Sequence, residues 1–182
     1  MFSRRAIDRI VRHYGADILT HEHMEVERRA YQHGNVTTYE HSVRVARLAV
    51  WLADRLRLWR RVDLRSLVRA ALLHDYFLYD WHEHDDGTHR WHGFRHPATA
   101  ERNARADFAI DDVVANSIRT HMFPLTPVPP RHVEGWLVTA ADKKNLTVGM
   151  AFFPYIGYGD GGDNVSAGTA TGKYHIHISS SC

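Results

Sequence analysis

Apolar residues between positions 3 and 32 fall at Ile7, Ile10, Val11, Tyr14, Ile18 and Leu19, the spacing of a helix that buries one stripe. Gly15 and the polar THEHMEVE segment predict an interruption into two pieces. HGNVTTYE reads as a loop that ends in a helix start, with Thr37 or Thr38 as the cap and Glu40 behind it. From Tyr39 to about Leu58, Val43, Ala46, Leu48, Ala49, Leu52, Ala53 and Leu56 mark the next stripe, with Arg44, Arg47, Asp54 and Arg55 off it. Asp63 caps a further helix, increasingly apolar through Leu67, Val68, Ala71, Leu72 and Leu73, that is expected to run to about Leu78.

Residues 79–95 have no period and include Gly87 and Gly93, so a long loop is predicted there. Pro97 suits the first turn of a helix through ATAERNARADF, which puts His96 just before it. Asp111 caps a helix with Val113, Val114, Ile118 and Met122 on one side, and PLTPVPP stops it. Another helix is expected from near Arg131 to Asp142, through Val133, Trp136, Leu137 and Ala140. Beyond Ala151 the pattern is lost: six of the 12 glycines lie between Gly157 and Gly172. KYHIHIS (173–179) alternates as a strand does, without an evident partner. The reading is an all-α helical bundle over residues 1–150 with a glycine-rich tail of low order over 151–182.

Composition narrows the function classes. A chain of 182 residues can bury one domain's core, and a net charge of +2 does not by itself argue for nucleic acid. Arg55, Arg57, Arg60, Arg61, Arg65 and Arg69 have a single aromatic, Trp59, among them, so they are expected on a solvated helix surface rather than in a nucleic-acid groove. The single cysteine, Cys182, allows no intramolecular disulfide. No apolar run matches a secretory signal or a membrane span, which predicts a cytoplasmic protein without membrane attachment.

The 15 histidines are the unusual feature. His41 falls in a helix's first turn, His74 and Asp75 follow the apolar AALL, His96 precedes a helix, and His121 and Asp142 end helices. Ionisable groups beside apolar faces are costly unless paired or metal-bound, and four imidazoles with two carboxylates suit Fe, Mn or Zn. A carboxylate can bridge two cations, which makes Asp75 the natural bridge. His82, His84, His89 and His92 fall in the predicted loop, as polar loop residues or contacts around the site. His13, His21, His23, His33 and His132 are assigned to surface or caps, and His175 and His177 to adventitious metal at most. A Ser–His triad on Ser42 fails because adjacent helical residues point about 100° apart.

The ordered set H…HD…H…H…D resembles the HD superfamily of metal-dependent phosphohydrolases over roughly residues 36–145. YEHSVRVARLAVWLA is similar to that family's first-histidine helix and LVRAALLHDYF to its signature helix. FRHPATAERNA, IRTHMFPL and VTAADKKN resemble its later ligand segments. The five-segment form resembles the two-metal subgroup, and HDYFLYDW, HGFRHP and HMFPLTP resemble a bacterial subgroup of it. The resemblance implies that His41, His74, Asp75 and Asp142 hold one metal, and that His96 and His121 hold a second with Asp75 bridging. It further implies a water or hydroxide nucleophile between two divalent Fe, Mn or Zn ions, with His74 and Asp75 in the catalytic centre. Arg44, one turn after His41, and Arg95, Lys143 and Lys144 beside ligands are the expected phosphate contacts, Arg44 and Lys143 with catalytic roles. The expected partner is a small phosphorylated metabolite or nucleotide, and a homodimer is left open. Two other readings stand beside it: a di-iron oxygenase of the same superfamily, and a metal-binding regulatory module without turnover. The cyclic-dinucleotide phosphodiesterase form is disfavoured because THMFPLTP lacks its Gly-Tyr-Pro segment.

Overall fold

The computed structural model describes residues 1–33, 36–79 and 92–147. These form seven helices and one small ladder: α1 (Arg4–Leu19), α2 (Met24–Arg29), β1 (Tyr31–His33), β2 (Val36–Thr37), α3 (Thr38–Arg55), α4 (Leu64–Leu73), α5 (His92–Asp107), α6 (Asp112–Thr120) and α7 (Val133–Thr147). The all-α bundle is as expected. All the described residues belong to the unit Met1–Phe152. The strand expected over 173–179 and the tail lie outside the described residues. No helix among the described residues is long and apolar enough to cross a membrane.

Caps written in the sequence set several of the helix starts. Ser3 accepts from the Ala6 N–H, Asp63 from Ser66 and Asp111 from Val114. Thr37 opens α3 with a capping box: its hydroxyl accepts the Glu40 N–H at 3.2 Å, and Glu40 Oε2 receives the Thr37 N–H at 3.4 Å.

α4 is the hub. It packs against α1, α3, α6 and α7, and every residue from Ser66 to Phe77 is buried. Surrounded on all sides, it needs apolar residues around its whole circumference. α3 packs against both α4 and α7, and α5 lies against α6.

Several boundaries differ from the sequence reading. α1 runs through Gly15, because a Cβ there would strike Leu72 Cδ1: this glycine permits close approach of two helices and does not break one. HGNVTTYE carries a short antiparallel ladder, Tyr31 opposite Thr37 and His33 opposite Val36, where a loop was expected. α4 ends at Leu73, not near Leu78, as the Tyr76 N–H turns back to the Leu73 carbonyl at 3.2 Å. α5 begins at His92, inside the predicted loop, and holds Pro97 in its interior, so His96 is a helical residue and does not precede the helix. Near a helix start proline forfeits a single backbone bond, so the helix continues through it. α7 continues past Asp142 to Thr147, since nothing in DKKNLT breaks a helix. Arg69 is buried and ion-paired to Asp17 at 2.8 Å, unlike the exposed Arg55, Arg57, Arg60, Arg61 and Arg65.

Candidate metal centre

Five helices deliver the six residues. The capping box fixes where α3 starts and so places His41 in its first turn. α4 carries its apolar length into the core and releases His74 as its C-cap, with Asp75 next. His96 comes from α5, His121 is the C-cap of α6, and Asp142 lies on α7. His74, Asp75, His96, His121 and His41 are all buried, and the Asp142 side chain is 16% exposed. The turn after Asp75 is held from two sides. Asn103 Nδ2 donates to the carbonyls of Tyr76 and Phe77, both at 3.1 Å. The Leu78 N–H donates to Glu27 Oε1 at 3.1 Å, with Leu78 at φ 63°.

Asp75 divides the cluster in two. Its Oδ2 lies 3.3 Å from His74 Nε2 and 3.7 Å from His41 Nε2. Asp142 Oδ1 completes that half, 3.1 Å from His41 Nε2 and 3.8 Å from His74 Nε2. Asp75 Oδ1 faces the other pair, 3.2 Å from His96 Nε2 and 3.5 Å from His121 Nε2. Within each half the imidazoles meet nitrogen to nitrogen: His41 to His74 at 3.3 Å, and His96 to His121 at 3.0 Å.

Those nitrogen pairs test the fit of a cation. His74 Nδ1 is 2.9 Å from the Ala71 carbonyl and His121 Nδ1 is 2.8 Å from that of Ile118, so each ring's proton belongs on Nδ1 and its Nε2 lone pair faces inward. Lone pairs converging on one another and on a carboxylate are repulsive unless a positive charge lies among them. Burial alone would push His74 down, but the charge of Asp75 and bonds to Asp142 and Asp75 hold it well above its ordinary value. Burial would raise Asp75 and Asp142; instead histidine partners, His74 foremost for Asp75 and His41 for Asp142, hold both below the usual carboxylate range. His121 goes the other way, lowered mainly by burial, which keeps it a neutral donor. A mixed imidazole–carboxylate set with inward Nε2 atoms is what a transition metal requires. Triads His41–His74–Asp75, His74–His121–Asp142 and Asp75–His96–His121 each offer atoms within 4.8 Å of one another.

The remaining expected site residues are placed less centrally. Arg44 is half-buried one turn after His41 and Arg95 is exposed beside His96; neither has a hydrogen bond or ion pair among the described residues. Lys143 donates its Nζ to the Phe123 carbonyl, two residues beyond His121, and Lys144 is exposed. His82, His84 and His89 lie outside the described residues; His92 opens α5. Glu27 was not foreseen. It is 2% exposed on α2 and grips the turn after Asp75. Burial pushes its carboxyl up to about 8, against the hydrogen bond from Leu78, with the Asp75 charge adding to the rise. Its one sequence signal is the Met24–Glu27 spacing, which puts both on one face.

Fold and site together define a helical protein built around a buried two-part histidine–aspartate centre able to hold metal. The family model described as HD domain matches residues 38–145, and the chain belongs to that family. No curated protein and no solved structure matches the chain.

Proposed function

We propose that this protein hydrolyses a phosphate ester of a nucleotide or another small metabolite at the His41–His74–Asp75–His96–His121–Asp142 centre. The observation that carries this reading is the division of Asp75, one oxygen toward His41 and His74 and the other toward His96 and His121. His41, His74, Asp142 and Asp75 Oδ2 would hold one divalent cation, and His96, His121 and Asp75 Oδ1 the other. Such a pair supplies Lewis acidity toward a phosphoryl group and a lowered pKa for water. The chain's own part is orientation. The Ala71 and Ile118 carbonyls aim His74 and His121, and Asn103 and Glu27 brace the turn that carries Asp75. Arg44 and Arg95, one turn from His41 and next to His96, suit an anionic substrate's phosphate oxygens, as does Lys144 beside Asp142. Lys143, committed to the Phe123 carbonyl, ties α7 to the turn after His121 and would reach phosphate only on leaving it.

The test is elemental analysis of the purified protein with a phosphomonoesterase and phosphodiesterase substrate panel, with and without oxygen. Expected is release of phosphate or a nucleotide by iron-free, manganese-loaded protein, unaffected by anaerobiosis. Turnover only with iron and dioxygen would overturn the hydrolase reading in favour of an oxygenase. Metal content without turnover on any phosphate ester would favour a binding module.

A further inference from the structure

Outside the six-residue centre, one other group of metal-ligating side chains converges among the described residues: His21, His23 and Asp107, each offering an atom within 4.8 Å of the others. His21 and His23 flank Glu22 in the short turn between α1 and α2, and Asp107 is the last residue of α5. Four contacts arrange the group. His23 Nδ1 lies 2.7 Å from Asp107 Oδ2. The Tyr76 hydroxyl donates to the same oxygen at 2.9 Å and lies 3.3 Å from His21 Nδ1. The Phe108 ring meets His21 edge-on at a centroid distance of 4.8 Å.

Two imidazoles and one carboxylate are a donor set for zinc-class ions and a poor one for magnesium or calcium, which prefer oxygen. A fully satisfied polar cluster would leave no donor to spare. Here His21 and His23 each keep a ring nitrogen that meets no partner among the described residues, while Nδ1 of each is in contact. Solvent reaches the group, with the His23 side chain 46% and that of Asp107 16% exposed, so an ion can enter without unfolding. Three protein ligands leave the fourth position to water.

We propose that His21, His23 and Asp107 form a second, peripheral site for a single divalent ion of the zinc class. It bears on the central site through Tyr76, which directly follows Asp75 and whose hydroxyl ends on Asp107. An ion here ties the α1–α2 turn to the end of α5 and so braces the turn that carries the bridging carboxylate.

Zinc is titrated into the metal-stripped full-length protein, and stoichiometry and affinity are compared between the parent, His21→Ala/His23→Ala and, as a milder change at an exposed position, His23→Asn. The parent is expected to bind one zinc more than the double variant, and His23→Asn to bind that ion at least about tenfold more weakly. Circular dichroism of the stripped proteins verifies that all three fold alike. The difference does not depend on what the central residues hold. Equal zinc stoichiometry and affinity in parent and variants, with metal still bound centrally, would overturn this site and leave the central reading standing. One extra zinc in the parent with no central metal would support this site and sink the central one.

Discussion

His74 holds a proton in the metal-free protein where metal-bound protein would hold a cation. Its raised pKa means that the proton must leave when metal arrives. Metal affinity should therefore rise by about tenfold per pH unit from below neutrality until His74 deprotonates unaided. Calorimetry in buffers of different ionisation enthalpy should show release of one proton per chain; no buffer dependence would contradict this. Glu27 makes a second prediction. Its carboxyl is held at about 8 in the fold against an ordinary 4.5, so the folded state binds that proton more tightly. The resulting stability is fully present below pH 4.5 and is lost as pH rises from 4.5 to 8, on the order of 4–5 kcal/mol by the upper end. Metal-free Glu27→Gln, which mimics the protonated form, should match the parent at pH 4.5 and outlast it in urea at pH 8.5. A gap that does not change with pH would refute the burial account. The six central residues were legible because each is of a ligand type and lies beside an apolar helical run. Glu27 was not, because its burial depends on α2 docking beside Leu78, a tertiary event that the polar THEHMEVE segment does not announce.

At the scale of elements, caps were the readable features and interior glycine and proline the misleading ones. Thr37 and Glu40 announced α3, and removing the cap by Thr37→Ala should cost about 1 kcal/mol, or roughly 2–4 °C in melting temperature. Gly15 looked like a break and Pro97 like a helix's first turn, and both lie inside helices. Gly15 answers to Leu72, 57 positions away in the chain and buried on α4, a neighbour that periodicity cannot reveal. Gly15→Ala should therefore destabilise by about 1–3 kcal/mol through overpacking, despite alanine's better helix propensity. A thermal melt in which Gly15→Ala is the more stable protein would show that α1 and α4 do not touch there. Among six arginines of similar spacing, the buried one is Arg69, which lies in the buried stretch of α4 and meets Asp17 and the Tyr14 carbonyl on α1.

Across the whole molecule, the centre joins α3, α5, α6 and α7 to the end of α4. Metal there is a cross-link between helices that are distant in the chain, so chelation should loosen the bundle as a unit. At free metal near 100 times its dissociation constant, each site adds about 2.7 kcal/mol, on the order of 5–10 °C in melting temperature. The division of Asp75 between two halves makes a sharper statement, which elemental analysis of one background and two variants built on it tests most directly. In the His21→Ala/His23→Ala background, which removes the peripheral ion, the protein should carry two transition-metal ions per chain; adding His96→Ala/His121→Ala should leave one and adding Asp75→Ala neither, with phosphate-ester turnover lost in both. Full metal content and activity in Asp75→Ala would contradict the account.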